Sequence, residues 1–525
     1  PGQTIKLCND IDPSQPIEVS KTLTLDLAGH KISNTSPIWD DSEKHWSLIR
    51  VANEGNLTLT GNGILEALQG DCYAVDLYDK DSNCTIEDGT FIGNVHAVYV
   101  FAGNLTVNGG TFSVKQKYSE EYPDEYVLNC YDDNYKNETA SITVNGGIFQ
   151  GFNPQDCRAE GEGTNFCSDK CIVTSEEKDG ITTYTVAPLT AENAVAQVEE
   201  NYFDSLEEAI SKAENGDTVV LLKSTTGNEN INISDGREIT LNLNGFNVGF
   251  AQNGKINLTH GILNLMGRGM LYEETPYYAP VMLYGAETDQ ADYTVITVGE
   301  DVILQGWSGL FVNYNKAQKA YGVKATVYGT LNSVPDYTGA GGHALYINGT
   351  IKDTDGNVPE FILDGATLNT KDGNGMYLAG YAKTTITDST IISNSEDSTG
   401  IEIRAGELEI TDSTIIGGNG EYTEAPNGNG STSSNVALAV TRHTTKLPIK
   451  ITVNSGTFSA NAAFVQANPQ DNDQEDIDKV TLEINGGNFN GLVYSENKTK
   501  FISGGNFTHD PSEYLAEDLM TVTSD

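Results

Sequence analysis

The chain has 525 residues, with 74 Asp and Glu against 30 Lys and Arg, a formal net charge of −44. That balance argues against nucleic acid and anionic membrane surfaces as partners, because both need clustered cations. No apolar run is long enough to span a bilayer, and the β-branched and aromatic content is too high for a disordered chain.

The elements follow in chain order. GQTIKLC, from Gly2, precedes LTLDLAGHKIS, two short alternating strands around a glycine turn. LTVNGGTF (from Leu105) and ITVNGGIF (from Ile142) have one form: an alternating strand, an Asn-Gly bend and a second strand. Between them lies a Tyr-rich insertion, Tyr118 to Tyr135, that interrupts the rhythm and suits either a recognition loop or a plug over the core. All seven cysteines fall in this part: Cys8, Cys72, Cys84, Cys130, Cys157, Cys167 and Cys171. An odd number leaves at least one thiol unpaired in a monomer. The last three are poorly spaced for zinc, so buried small hydrophobes or one or two disulfides are expected.

VAPLTAEN, Val186 to Asn193, reads as a linker. YFDSLEEAISKAENGD then carries a capping box, Ser205 with Glu208, and one apolar face (Leu206, Ala209, Ile210, Ala213), predicting a helix over about 205–214 that ends before Gly216. It is expected to cover the open edge of the first coil of a second unit. GDTVVLL and ITLNLNGFNVG follow and repeat the opening of the chain, Gly245 standing for Gly29. The chain therefore reads as two homologous units, 1–188 and 189–525. The first begins where such a helix should end, so the natural chain is expected to extend upstream of Pro1.

The second unit repeats at short range. ITDSTII occurs verbatim at Ile386–Ile392 and Ile410–Ile416, and FILDGATL places Asp364 one period earlier. ITVNSGTF (from Ile451), LEINGGNF (from Leu482) and FISGGNF (from Phe501) continue the series. A unit of about 20 to 25 residues with two or three short strands cannot bury its own apolar face and must stack on its neighbours. The fold class expected is all-β, a parallel β-helix, with Ile386 directly above or below Ile410.

These xITVNGGxF coils resemble the right-handed parallel β-helix proteins of the pectate-lyase-like superfamily. YFDSLEEAISKAENGDTVVLL, GIEIRAGELEI and GGNFTHDPSEYLAED resemble the pectate-lyase-like adhesive repeats of large secreted or surface proteins from gut anaerobes and their phages. The resemblance covers most of the chain and implies a right-handed solenoid in an extracellular setting. It does not choose among lyases, hydrolases, adhesins and viral fibres, which share the fold.

A lyase of this architecture needs a basic Arg or Lys beside acids that hold Ca²⁺; a hydrolase needs paired acids with His and a cationic segment. Neither set is complete: Asp40 and Asp41 stand without the remaining hydrolase elements. Alternation in GIEIRAG points Ile401 and Ile403 inward and Glu402 and Arg404 outward. Tyr377, His343 and Tyr346 on preceding coils, with Arg442 and His443 on a later one, extend this into a solvent-facing stripe that would bind a glycan or pair its charges across coils. His96 and Tyr99 echo it in the first unit. For calcium, Asp353, Asp355 and Asn357 have the best spacing, without the bidentate Glu of a full loop. Asp364, Asp388 and Asp412, if stacked, could hold calcium, share protons or form Asx-turns.

The expectation is an extracellular β-helix rod for display and adhesion that binds glycans or a surface partner without catalysis. The alternatives are a polysaccharide lyase or glycoside hydrolase acting on acidic glycans, and a virion fibre.

Overall fold

Period-two alternation gives each strand one apolar and one polar face, and Thr22–Asp26, Asn56–Thr60 and Glu238–Asn242 share the same pattern of alternately buried residues. A computed structural model shows how these faces close on one another. It describes all residues except 1, 119–125, 274, 292, 314–318, 335–341, 353–355, 394, 426–431 and 524–525. The chain is all-β, built on long parallel strand stacks compatible with a β-helix, and divides into two compact units, Pro1–Asn193 and Ala194–Asp525.

In the first unit three stacks enclose one core. They run from Gln3–Lys6 to Ala140–Val144, from Lys31–Ser33 to Gly147–Gln150, and from Ile17–Val19 to Leu128–Cys130, each taking every third strand from Ile17–Val19 onward. An antiparallel hairpin, Cys171–Lys178 with Ile181–Pro188, pairs with Gly147–Gln150 and closes that edge. Leu128–Cys130 lies in the expected Tyr-rich insertion and pairs in register with Val98–Val100. That segment therefore supplies a strand of the stack, because Leu128 and Cys130 alternate with Asn129 as any coil strand does.

The second unit has a twelve-stranded and a nineteen-stranded sheet. Ile386 pairs with Ile410, and Ile410 with Val453, so the verbatim repeat is one coil laid on the next. The helix spans Leu206–Lys212; Ser205 Oγ accepts from Glu208 N at 3.2 Å, and Leu206, Ala209 and Ile210 are buried. The hairpin Ala196–Val198 with Asn201–Phe203 forms the first two strands of the twelve-stranded sheet, antiparallel to Thr218–Leu221, and the helix beside it buries its apolar face in the unit's core. A hairpin can pair the free backbone groups of an edge strand; a helix, whose own groups are satisfied internally, cannot.

The NGGxF bends have a direct cause. A Cβ on Gly146 would lie 2.4 Å from Asn108 O, and one on Gly109 2.4 Å from Glu87 O, so the first glycine is needed for close approach of coils. The second, Gly110 or Gly147, takes φ of +99° or +125°. Asn145 Nδ2 donates to Asn108 Oδ1 at 2.9 Å, stitching the bends together. The phenylalanines stack inside: Phe91–Phe112–Phe149 at 5.1 and 5.0 Å, and Phe458–Phe489–Phe507 at 4.8 and 4.9 Å. Each such pair adds about 0.5–1.5 kcal/mol beyond area burial.

Asp364 departs from its expected place. It pairs with Thr387, and Gly365, at φ +66°, donates its N–H to Thr387 O as Asp388 donates to Thr411 O. The three aspartates therefore do not form one column, because the coil from Asp364 round to Thr387 is one residue shorter than the coil from Thr387 round to Thr411. Only Asp388 and Asp412 share the turn position, both at φ +48°. Ser389 and Ser413 lock these bends: Ser389 Oγ accepts from Ala366 N at 3.0 Å and Ser413 Oγ from Ser389 N at 3.1 Å.

Candidate functional site

The sequence-derived stripe is assembled in part, and it is not solvated. Phe311, Tyr346, Tyr377 and Glu402 occupy successive rungs on the outer face of one stack. Tyr346 packs on Phe311 at 4.5 Å and on Tyr377 at 5.5 Å; His343 packs on Tyr377 at 4.9 Å. Alternation places Glu402 and Arg404 away from the core between Ile401 and Ile403, as expected, yet both are 0% exposed. The covering segment includes Thr432 and the short antiparallel pair Thr423–Glu424 with Ser433–Ser434.

Under that cover the charges are held by the protein itself. The Glu402 carboxylate accepts from Asn374 Nδ2 (3.2 Å), Thr432 N (3.1 Å), Thr432 Oγ1 (3.0 Å) and Thr441 Oγ1 (3.0 Å). Arg404 donates to Tyr377 Oη at 2.8 Å and lies 4.0 Å from Glu402. His343 Nδ1 accepts from Asn374 N at 3.2 Å, and burial pushes its pKa down to about 3, so it is neutral at ordinary pH. Desolvation raises the Tyr377 phenol, with the Glu402 charge adding to it. A buried, hydrogen-bonded ion pair fixes conformation and does not meet a polymeric substrate.

Arg442 and His443 stand apart from this group. The residue paired with Glu402 on the next rung is Ala439, and Arg442 lies past the strand end, donating to Leu447 O and 3.9 Å from Asp476. Asp476 is also held by Lys446 at 2.5 Å and Lys479 at 2.8 Å, and their hydrogen bonds lower its pKa to about 2. His443 Nδ1 accepts from Thr445 N at 3.2 Å within a turn. Of the calcium residues, Asp353 and Asp355 lie outside the described residues, and the Asn357 backbone oxygen is taken by Gly322 N at 3.0 Å. Among the described residues no group of three His, Cys, Asp or Glu gathers as a metal site. All seven cysteines are free thiols, five of them buried; burial raises Cys84 to about 12.

Two features of the surface go beyond the sequence reading, which reached only His96 and Tyr99 of the second. The first is an open cleft of about 980 Å³ in the second unit, lined by Asn232, Lys255, Asn257, Tyr278, Tyr284 and Tyr293. Asn257 donates to Asn232 Oδ1 at 3.0 Å across coils, and the Lys255 ammonium lies 4.5 Å from the Tyr278 ring centre. Lys255 also donates to Asn253 O and Asn230 Oδ1, and desolvation lowers its pKa. INIS and INLTH, each an Asn between two buried aliphatics, were the only local signal. The second is the outer face of the first unit, where Trp39, Trp46, Tyr73, Tyr78, His96, Tyr99 and Phe101 form one connected set of rings, neighbouring centroids being 4.9–6.4 Å apart. His96 is buried and lowered to about 4, held by Tyr126 O at 2.7 Å.

Comparison with protein-family models, curated proteins and solved structures gave no match. The fold and these sites define a class: an all-β protein of parallel strand stacks whose charged rung is buried and whose open surfaces are aromatic and amide-bearing.

Proposed function

We propose that the chain is an extracellular, non-catalytic β-helix surface protein of pectate-lyase-like architecture that adheres to glycans through the cleft of its second unit. The observation that carries this reading is the contrast between two sites. The cleft presents tyrosine faces beside the side-chain amides of Asn232 and Asn257, the pairing that sugar rings and hydroxyls require. The residues a lyase or hydrolase would use, Glu402 and Arg404, are enclosed and hydrogen-bonded. A catalytic base must come within hydrogen-bond reach of the proton it removes.

The test is a glycan array probed with the purified chain, with and without EDTA, followed by product analysis on every hit. The expected result is saturable binding without new reducing ends or unsaturated products, weakened about tenfold or more by Tyr284→Ala, which removes a cleft ring. Cleavage of any bound glycan would overturn the non-catalytic reading. Silence on every glycan would overturn adhesion to sugars. Loss of binding with EDTA would implicate calcium and the segment carrying Asp353, Asp355 and Asn357.

A further inference from the structure

We propose that the outer aromatic face of the first unit is a docking site for a lysine side chain of a protein partner, seated at Tyr73 and Tyr99 with Asp76 on the neighbouring rung.

The strands place a mixed column there. Glu18, Arg50, Asp76, Tyr99 and Asn129 occupy consecutive rungs of the stack that runs from Ile17–Val19 to Leu128–Cys130. Asp76 is 0% exposed. Its Oδ1 accepts from Ser47 Oγ, while its Oδ2 is buried with no hydrogen-bond partner. Such an oxygen costs free energy unless a donor or a cation answers it. Desolvation raises the Asp76 pKa to about 7, and the Glu18 charge opposes its ionisation while Arg50 favours it. An added cation would draw the carboxyl into its charged form.

Tyr99 stands on the rung beside Asp76, and its ring and that of Tyr73, each with His96 packed on one side at 5.5 and 4.9 Å, are suited to a cation. Tyr73 and Tyr99 lie 5.4 Å apart, with Trp39 edge-on to Tyr73 at 5.4 Å and Trp46 at 6.3 Å from Tyr99. Aromatic faces carry negative potential and attract ammonium and guanidinium groups within about 6 Å. This face already shows the mode with its own residues: the Arg50 guanidinium stacks 4.1 Å from the Tyr78 centroid, and the Lys44 ammonium 5.5 Å from that of Trp46. Arg50 is turned aside from Asp76, donating to Glu43 O and Lys44 O. Among the described residues no lysine or arginine covers Tyr73 or Tyr99.

Charge complementarity selects the occupant. Burial and the neighbouring Tyr99 and Tyr118 phenols act most on Tyr73, and the carboxylates that reach it, Asp76 and Asp41, are both acidic, as is the chain as a whole at −44. A neutral sugar gains nothing from a buried carboxylate whose oxygen it cannot reach, whereas an ammonium is attracted to that charge across low-dielectric surroundings. The exposed Trp39, Tyr118 and Tyr131 at the margins offer area for the flanking peptide, in the residue types that dominate protein interfaces.

The experiment titrates the whole chain at pH 8 with an acetylated, amidated peptide Gly-Gly-Lys-Gly-Gly and reads tryptophan fluorescence, since Trp39 and Trp46 are two of its three tryptophans. The control peptide carries norleucine in place of lysine. The expected result is saturable quenching by the lysine peptide only, weakened about tenfold or more in Asp76→Asn, which keeps the shape and removes the charge. Tyr73→Leu, which keeps an apolar floor without the ring, should lose binding to a similar extent and serves if Asp76→Asn does not fold. Equal binding of both peptides, no saturable signal, or unchanged affinity in a folded Asp76→Asn variant would overturn the site. Binding of n-butylammonium without binding of the lysine peptide would overturn the assignment to a protein partner.

Discussion

Glu402→Ala is expected to destabilise the second unit severely. The side chain is 0% exposed, and its carboxylate accepts from Asn374, Thr432 and Thr441. Truncation leaves those donors facing a cavity and removes a carboxylate 4.0 Å from the Arg404 guanidinium, which is also 0% exposed. Removing one partner of a buried pair costs about 3–5 kcal/mol, against about 0–1 kcal/mol for a surface pair. With a urea dependence of about 2–3 kcal/mol per molar, the midpoint of the second unit's transition should fall by roughly 1–2 M. The assay is urea titration of wild type, Glu402→Ala, Arg404→Ala and the double variant, followed by circular dichroism. The double variant should be less destabilised than the sum of the singles, because Glu402 and Arg404 lie within reach of each other and their effects couple. A shift under about 1 kcal/mol for Glu402→Ala would refute the reasoning, since only a hydrated pair can be broken so cheaply. Arg404→Ala also separates the readings of the chain: a catalytic arginine on an open groove would be lost with the fold intact, whereas here the fold itself should weaken.

Asp76 should make the first unit less stable as pH rises. Its folded pKa, about 7, lies above the ordinary carboxyl value of about 3.9, so between those values the folded state binds more protons than the unfolded one. Stability is therefore highest below about pH 4 on this group's account and is lost up to pH 7; Asp76→Asn should flatten that slope and gain at most about 4 kcal/mol at pH 8, read as the unfolding midpoint against pH. His96 and His343 act in the opposite direction: their folded pKa values, about 4 and about 3, lie below the unfolded value near 6.5, so stability is full above that pH and falls as the solution is acidified. Gly146→Ala should cost more than about 2 kcal/mol, because its Cβ would meet the Asn108 carbonyl oxygen at 2.4 Å; hydrogen exchange should show the loss concentrated around Asn108 and Asn145. Brief alkylation of the native chain should modify exposed Cys8 first and leave Cys72, Cys84 and Cys130 unlabelled until denaturant is added, as peptide mass spectrometry would record.

The local rules were legible in the residues. Alternation announced the strands, Asn-Gly and Gly-Gly announced bends, and the capping box of Ser205 announced a helix that the structure begins at Leu206. The verbatim repeat even gave the pairing of Ile386 with Ile410, because residues one coil apart must stack when both coils have the same length. Where one coil is a residue shorter than the next, as the coil from Asp364 to Thr387 is, residues a fixed period apart no longer pair, and the aspartate column drawn from the repeat dissolves.

What lies over a strand was beyond the sequence. Alternation tells which side of a sheet Glu402 and Arg404 occupy, but the solvation of Glu402 depends on Thr432, thirty residues on in the chain, folding back onto it. The cleft around Tyr284 likewise gathers residues from three coils, and the ring set around Tyr99 joins Trp39 to Tyr131. Short-range pattern determines the strand, its bend and its inward face, since those depend on neighbours within a few residues. Burial of the outward face is a long-range property, decided only when the loops between coils take their places.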